Sequence, residues 1–182
     1  MKRRLIAFLT LVTAVAVCQP PKDVDGWNKI KWGMTVKQAK SALGDQAVED
    51  APLPNSPDTL FLDRLIVKGL QIGNIAAHAT VMSKRGSDLV SHLNITCDVS
   101  MEGGLEAIRA DTFSHLKALL IEKYGKPKSE DRKPGILASE IDTAVLWIFP
   151  ATSITLLWSE SPTLGFVTIR YKPTDKKALD VL

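Results

Sequence analysis

The sequence predicts an α+β fold of two tandem units, each a helix followed by three strands, with the helices packed on an antiparallel sheet. Three observations predict it. A helix signal stops at a glycine twice, at Gly44 and at Gly125, 81 positions apart. Each stop is followed by a polar, proline-bearing stretch and then by three strand-like runs. Strands grouped after helices, rather than alternating with them, put the helices on one side of an antiparallel sheet. Residue identity between the halves is weak, so the repeat is one of architecture. The units are placed at 26–100 and 101–182, within one compact globular region. At 182 residues and 45% hydrophobic content, the chain has enough apolar side chains to bury a core without metal or a dense disulfide framework.

The first residues read as an export signal. Met1-Lys2-Arg3-Arg4 is basic, Leu5 to Val17 is uncharged and rich in Leu, Val and Ala, and Pro20-Pro21 breaks any helix. The apolar run is shorter than the ~20 residues of a spanning helix. Residues 1–17 are therefore expected to be a signal peptide and 18–25 a tether, with the protein exported to the periplasm or held by a lipid in the cell envelope. Ala14-Val15-Ala16 suits ordinary signal cleavage, whereas Cys18 stands where a lipidated cysteine would. Both readings stay open, and a lipid on Cys18 is the one membrane contact expected. Setting aside Lys2, Arg3 and Arg4 leaves 20 basic residues against 20 acidic ones. That balance disfavours nucleic acid as a partner. Cys97 is either a disulfide partner for Cys18 or a small buried hydrophobe.

In order, Trp27, Ile30 and Trp32 suit a short extended entry. Thr35 and Gln38 have the spacing of a capping box, and Gly44 ends a helix of about two turns. Residues 45–58, with Pro52, Pro54 and Pro57, read as a surface loop. Strands are expected at Leu60–Lys68, Asn74–Met82 and Leu89–Asp98, separated by Gly69 with Gly73 and by the stretch 83–87. Ile75, Ala77, Ala79 and Val81 share one face with Leu89, Leu93, Ile95 and Cys97; Ala76, His78, Thr80, His92, Asn94 and Thr96 share the other. From Leu105 to Tyr124, Leu105, Ile108, Thr112, Leu116, Leu119 and Leu120 recur at helical spacing, and Gly125-Lys126-Pro127 stops the helix. Residues 126–136 read as a second loop, followed by strands at Ser139–Phe149, Ser153–Glu160 and Gly165–Lys172 and a polar tail at 173–182.

Trp32-Gly33-Met34-Thr35, leading into a lysine-rich short helix that ends Leu43-Gly44, resembles the start of small bacterial envelope proteins of the SmpA/BamE type. It is also similar to the repeat units of β-lactamase-inhibitor-protein-like folds. The match covers about residues 32–44; Tyr124-Gly125-Lys126-Pro127 resembles the same helix end in the second half, and the strands match by order alone. The resemblance implies helices against a small antiparallel sheet, with two such units in tandem in the inhibitor fold. The SmpA/BamE proteins are single-unit lipoproteins, so the two units here, and Val17 before Cys18, depart from that pattern.

The chain carries no G-x-S-x-G, H-E-x-x-H, P-loop or C-x-x-C motif. No catalytic residue and no cofactor is assigned. With a hairpin turning about Arg85, His78 and His92 would face each other across neighbouring strands, as candidates for a metal site or a pH-sensitive pair. Asn94 and Asp98 make poor third ligands, and the plainer reading is two polar residues on a solvated sheet. Trp147 and Trp158 read as core. Trp27 and Trp32 read as core too, or as an exposed protein-binding surface. These features favour an exported, non-catalytic protein-binding module of the bacterial cell envelope, whose partner is another envelope or secreted protein. The alternatives are an inhibitor of a secreted or periplasmic enzyme, inserting loop 45–58 or 126–136 into a cleft, and a small-ligand or metal-binding protein using His78 and His92.

Overall fold

The computed structural model describes residues 24–49, 60–97, 105–134, 141–160 and 166–175. The signal segment, Cys18, loop residues 50–59, Asp98 and the tail 176–182 lie outside the described residues. A hairpin of β1 (Gly26–Trp27) and β2 (Ile30–Lys31) precedes helix α1 (Val36–Leu43) and a 3-10 turn (Gly44–Gln46). Then come β3 (Ala47–Glu49), β4 (Phe61–Ile72), β5 (Ile75–Lys84) and β6 (Val90–Cys97). Helix α2 (Leu105–Tyr124) leads to β7 (Ser129–Pro134), β8 (Ile141–Ile148), β9 (Thr152–Glu160) and β10 (Phe166–Pro173). Strands β3 to β10 form one antiparallel sheet in the order β3-β4-β5-β6-β10-β9-β8-β7.

This architecture corrects the expected fold class of two helix-plus-three-strand units. The chain is mostly β, four strands follow each helix, and all eight belong to one sheet. The two strands missing from the expectation, β3 and β7, are the outermost ones. An edge strand pairs on one side only and tolerates charge throughout, so Ser129-Glu-Asp-Arg-Lys-Pro134 has no apolar alternation to reveal it. The seam between the halves is the β6–β10 pair, with Ile169 opposite Ile95 and Tyr171 opposite Leu93.

Alternation along the strands puts one side of the sheet in the core. Rows of directly opposed residues cross it: Leu65, Val81, Leu93, Tyr171, Ile154 and Trp147 in one, Val67, Ala79, Ile95, Ile169, Leu156 and Val145 in the next. All twelve are buried, and they join one continuous cluster with Val36, Ala39 and Leu43 of α1 and Phe113, Leu116, Leu120 and Tyr124 of α2. The buried stripe of α2 thus includes Phe113 and Tyr124, with Leu119 and Thr112 only half-buried beside it. Helix α1 carries the expected capping box: Gln38 N–H donates to Thr35 Oγ1 (3.2 Å), and Thr35 N–H donates to Gln38 Oε1 (2.8 Å). Its first N–H, on Val36, donates to the Asp88 carbonyl (2.7 Å), tying the helix start to the head of β6. Gly125 N–H donates to the Ile121 carbonyl at the end of α2, and the Trp147 indole N–H donates to the Gly125 carbonyl (2.8 Å).

Eight strands at their usual spacing make a sheet about 34 Å wide, and two helices, each roughly 10 Å across, cannot cover it. The entry hairpin fills part of the remainder. It is tight: a Cβ at Gly26 would lie 2.0 Å from the Ile30 carbonyl oxygen, so only glycine fits. Ile30 is buried, Trp27 is half-buried, and Trp32 donates its indole N–H to Thr152 Oγ1 of β9 (2.7 Å). The first residues of the hairpin region are thereby tied to the second half of the chain.

Two irregularities shape the first half. Gly69, expected in a turn, lies inside β4 with φ 68°, where the register to β5 shifts between Val67 and Leu70. The turn is at Gly73-Asn74, and it rests on α2: a Cβ at Gly73 would lie 3.3 Å from His115 Nε2. A second register shift, after Met82, leaves Ser91 between paired residues. It turns Val90 inward and leaves Leu89 49% exposed, the reverse of the alternation expected for Leu89.

Candidate functional site

The side of the sheet opposite the helices is built from the other half of each strand's alternation. On β5, β6 and β10 it presents His78, Thr80 and Met82, then His92, Asn94 and Thr96, then Thr168, Arg170 and Lys172. Beyond them come Ser153, Thr155 and Leu157 of β9 and Ala144, Leu146 and Ile148 of β8. Phe61, at the head of β4, and Phe166, at the head of β10, are 38% and 45% exposed. No helix among the described residues packs on this face: α1 and α2 bury their side chains in the core on the other.

The register separates the two histidines expected to oppose each other. His78 stands opposite Thr96 and His92 opposite Met82. They share a face but lie four positions apart along the strands, roughly 13 Å at ordinary strand rise. The hairpin is centred near Ser87 rather than Arg85. Among the described residues, no three His, Cys, Asp or Glu side chains gather where a metal ion would be held.

His92 has a defined environment of its own. Its ring meets the Phe61 ring edge-to-face at 4.7 Å between centroids. Ser91 Oγ donates to the Met82 carbonyl (3.0 Å) and lies 3.0 Å from His92 Nδ1. A hydroxyl has one hydrogen; with it on Met82, Ser91 accepts from Nδ1–H, and Nε2 is left as the acceptor. Burial, the Arg170 guanidinium and the Lys172 ammonium push the imidazole pKa down to about 4. His92 is neutral at pH 7.

Trp27 and Trp32, expected as core or as a binding surface, are half-buried against the core on the helix side. They are not on the open face. Trp147 is 2% exposed, and Trp158, half-buried, packs on Phe113 of α2 with ring centroids 5.5 Å apart. Cys97 is buried on the core side; pairing it with Cys18 falls outside the described residues. The loop 126–136, expected to be free for insertion into a cleft, is largely strand β7, held to β8 along its length and to α2 by the Lys117–Glu130 ion pair.

On the helix side, a pocket of about 240 Å³ opens between α2 and β4, lined by Trp27, Leu70, Ile72, Leu119, Leu120 and Ile169 among others. It falls below the ~300–1,000 Å³ of ordinary ligand pockets, and its lining is mostly apolar, with Gln71, Lys123 and Tyr171 as the polar members. It reads as the residual gap between helix, hairpin and sheet. The open face is the better site.

Sequence reasoning found His92, Asn94 and Thr96 on that face but missed Arg170, Lys172 and Ser153. The signal was present, since Val167, Ile169 and Tyr171 alternate with Thr168, Arg170 and Lys172. What the sequence lacks is the pairing of β10, the last strand, with β6. Comparison with protein-family models, curated proteins and solved structures finds no match to this chain.

Proposed function

We propose that this chain is a non-catalytic protein-binding module, exported to the bacterial cell envelope, that engages another envelope or secreted protein through the open face of its sheet. One observation carries the choice of face. Eight strands present a broad surface with no helix over it among the described residues, mixing polar side chains with the exposed rings of Phe61 and Phe166. Protein interfaces combine aromatic anchors and arginine with a polar surround. A small-molecule site would call for a deeper concavity. Export rests on the sequence of residues 1–17. No helix of the described residues is long and apolar enough to cross a membrane.

The test is mild cross-linking of the tagged protein in its own envelope fraction, followed by mass spectrometry. The expected result is one reproducible partner, cross-linked through open-face strands and lost when Arg170 and Phe61 are replaced together by alanine. Recovery of nothing specific, or turnover of a substrate in a broad hydrolase and transferase screen, would remove the proposal. The partner's nature separates an assembly component from an inhibited enzyme.

A further inference from the structure

Six polar side chains from three neighbouring strands meet at the middle of the open face. The register places Asn94, Arg170 and Thr155 in one row. One step along, Lys172 lies opposite Ser153 and beside His92. Donors dominate this centre. Arg170 spends one of its five N–H groups on Asn94 Oδ1 (2.9 Å), and Asn94 in turn points its amide nitrogen at Met82 Sδ (3.3 Å). The guanidinium is thereby oriented, while its terminal nitrogens have no partner among the described residues. No carboxylate of the described residues pairs with Arg170 or Lys172. The Ser153 side chain, 5% exposed, has a hydroxyl without a hydrogen-bond partner among the described residues. The carboxylates of this face, Asp63, Asp131 and Asp142, stand on β4, β7 and β8, off the three central strands.

We infer that this centre receives an acidic side chain, Asp or Glu, of the partner protein, with Arg170 as its principal ligand and Lys172 as its second charge. This rests on the reading of the open face as a protein-binding surface. An oriented guanidinium matches a carboxylate through two parallel N–H···O bonds. Around the donors lie Phe61, Met82, Leu146 and Ile148, apolar contact area that an isolated inorganic anion would not use and a polypeptide segment would. A flat sheet also cannot enclose a small ion. His92 joins the centre conditionally. It is faced by Arg170 and Lys172 from β10, while Asp63 and Lys84 lie further along its row and beyond Met82. A carboxylate set among them offsets the two cations and favours the imidazolium.

The test titrates the ¹⁵N-labelled protein with an acetylated, amidated hexaglutamate peptide, with the matching hexaglutamine peptide and with inorganic phosphate. Hexaglutamate is expected to shift the amides of residues 92–94, 153–155 and 170–172 and to raise the His92 pKa. Both effects should fade between ~0.05 and ~0.5 M salt, where screening shortens to a few ångströms. Arg170→Gln should weaken binding at least tenfold and Lys172→Gln less; both residues are exposed, and salt dependence of the wild type gives a readout that needs no variant. Shifts confined to Lys126 and Lys128, equal shifts with hexaglutamine, or equal shifts with phosphate would overturn the inference. A cross-linked envelope partner whose capture ignores both salt and Arg170→Gln would sink the acidic ligand while leaving the protein-binding reading standing. Hexaglutamate binding with no envelope partner would do the opposite.

Discussion

His92 shows how burial, with two cations on a neighbouring strand, sets the charge of a side chain. Its pKa in the folded chain lies at about 4, below its ordinary value of 6.5, so between those limits the unfolded chain binds the extra proton. Its contribution to stability is therefore full above about pH 6.5 and declines as pH falls toward 4. Comparing urea midpoints of the wild type and His92→Gln across this range should show the variant losing less. Parallel curves would mean that neither burial nor the two cations, Arg170 and Lys172, lowers the pKa of the ring. At the same scale, Trp147 does two jobs: its ring fills the core and its N–H donates to the carbonyl of Gly125, the residue that follows α2. Trp147→Phe removes a donor and part of a buried volume, and a loss on the order of 2 kcal/mol is expected in denaturant unfolding.

Elements differ in how far the sequence revealed them. Both helices were legible: the Thr35–Gln38 capping box and Gly44 bound 36–43, and apolar spacing with the Gly125 stop marks 105–124. The central strands were legible because one face of each is buried. The edge strands β3 and β7 were not, since pairing on one side imposes no apolar pattern. Nor were the bulges: Gly69 read as a turn, and Ser91 shifted Leu89 out of the face its spacing indicated. The separation of His78 from His92 comes instead from the turn, centred near Ser87 rather than Arg85, which offsets the two by four positions. Gly69 holds a positive φ, so Gly69→Val strains the backbone by about 1–3 kcal/mol. It should also loosen the β4–β5 tip from α2, which faster hydrogen exchange at residues 70–77 would report. Unchanged exchange there would mean the bulge does not hold the tip in place.

At the scale of the molecule, the candidate site depended on a contact between distant parts of the chain. Asn94 and Arg170 are 76 positions apart, and only the β6–β10 seam brings them together. That pairing also makes the halves interdependent. The core rows run without a break from Leu65 to Trp147, and the bond from Trp32 to Thr152 of β9 joins the halves a second time. Thermal unfolding is expected as a single transition, with equal calorimetric and van't Hoff enthalpies. Two resolved transitions would show that the halves fold separately. Ile95→Ala, at the seam, should lower the whole transition by about 2–5 kcal/mol rather than one part of it.

The two ends of the sheet have a consequence for life at high concentration. An open β-sheet is a template, and a bare outer strand invites another chain to add itself. Here one border is only three residues long. The other reads Ser-Glu-Asp-Arg-Lys-Pro, four charges and a terminal proline that has no N–H to offer. Lateral growth into fibrils is discouraged at the β7 border, whereas on the other side β3 shields only Leu65–Val67 of the longer β4 among the described residues.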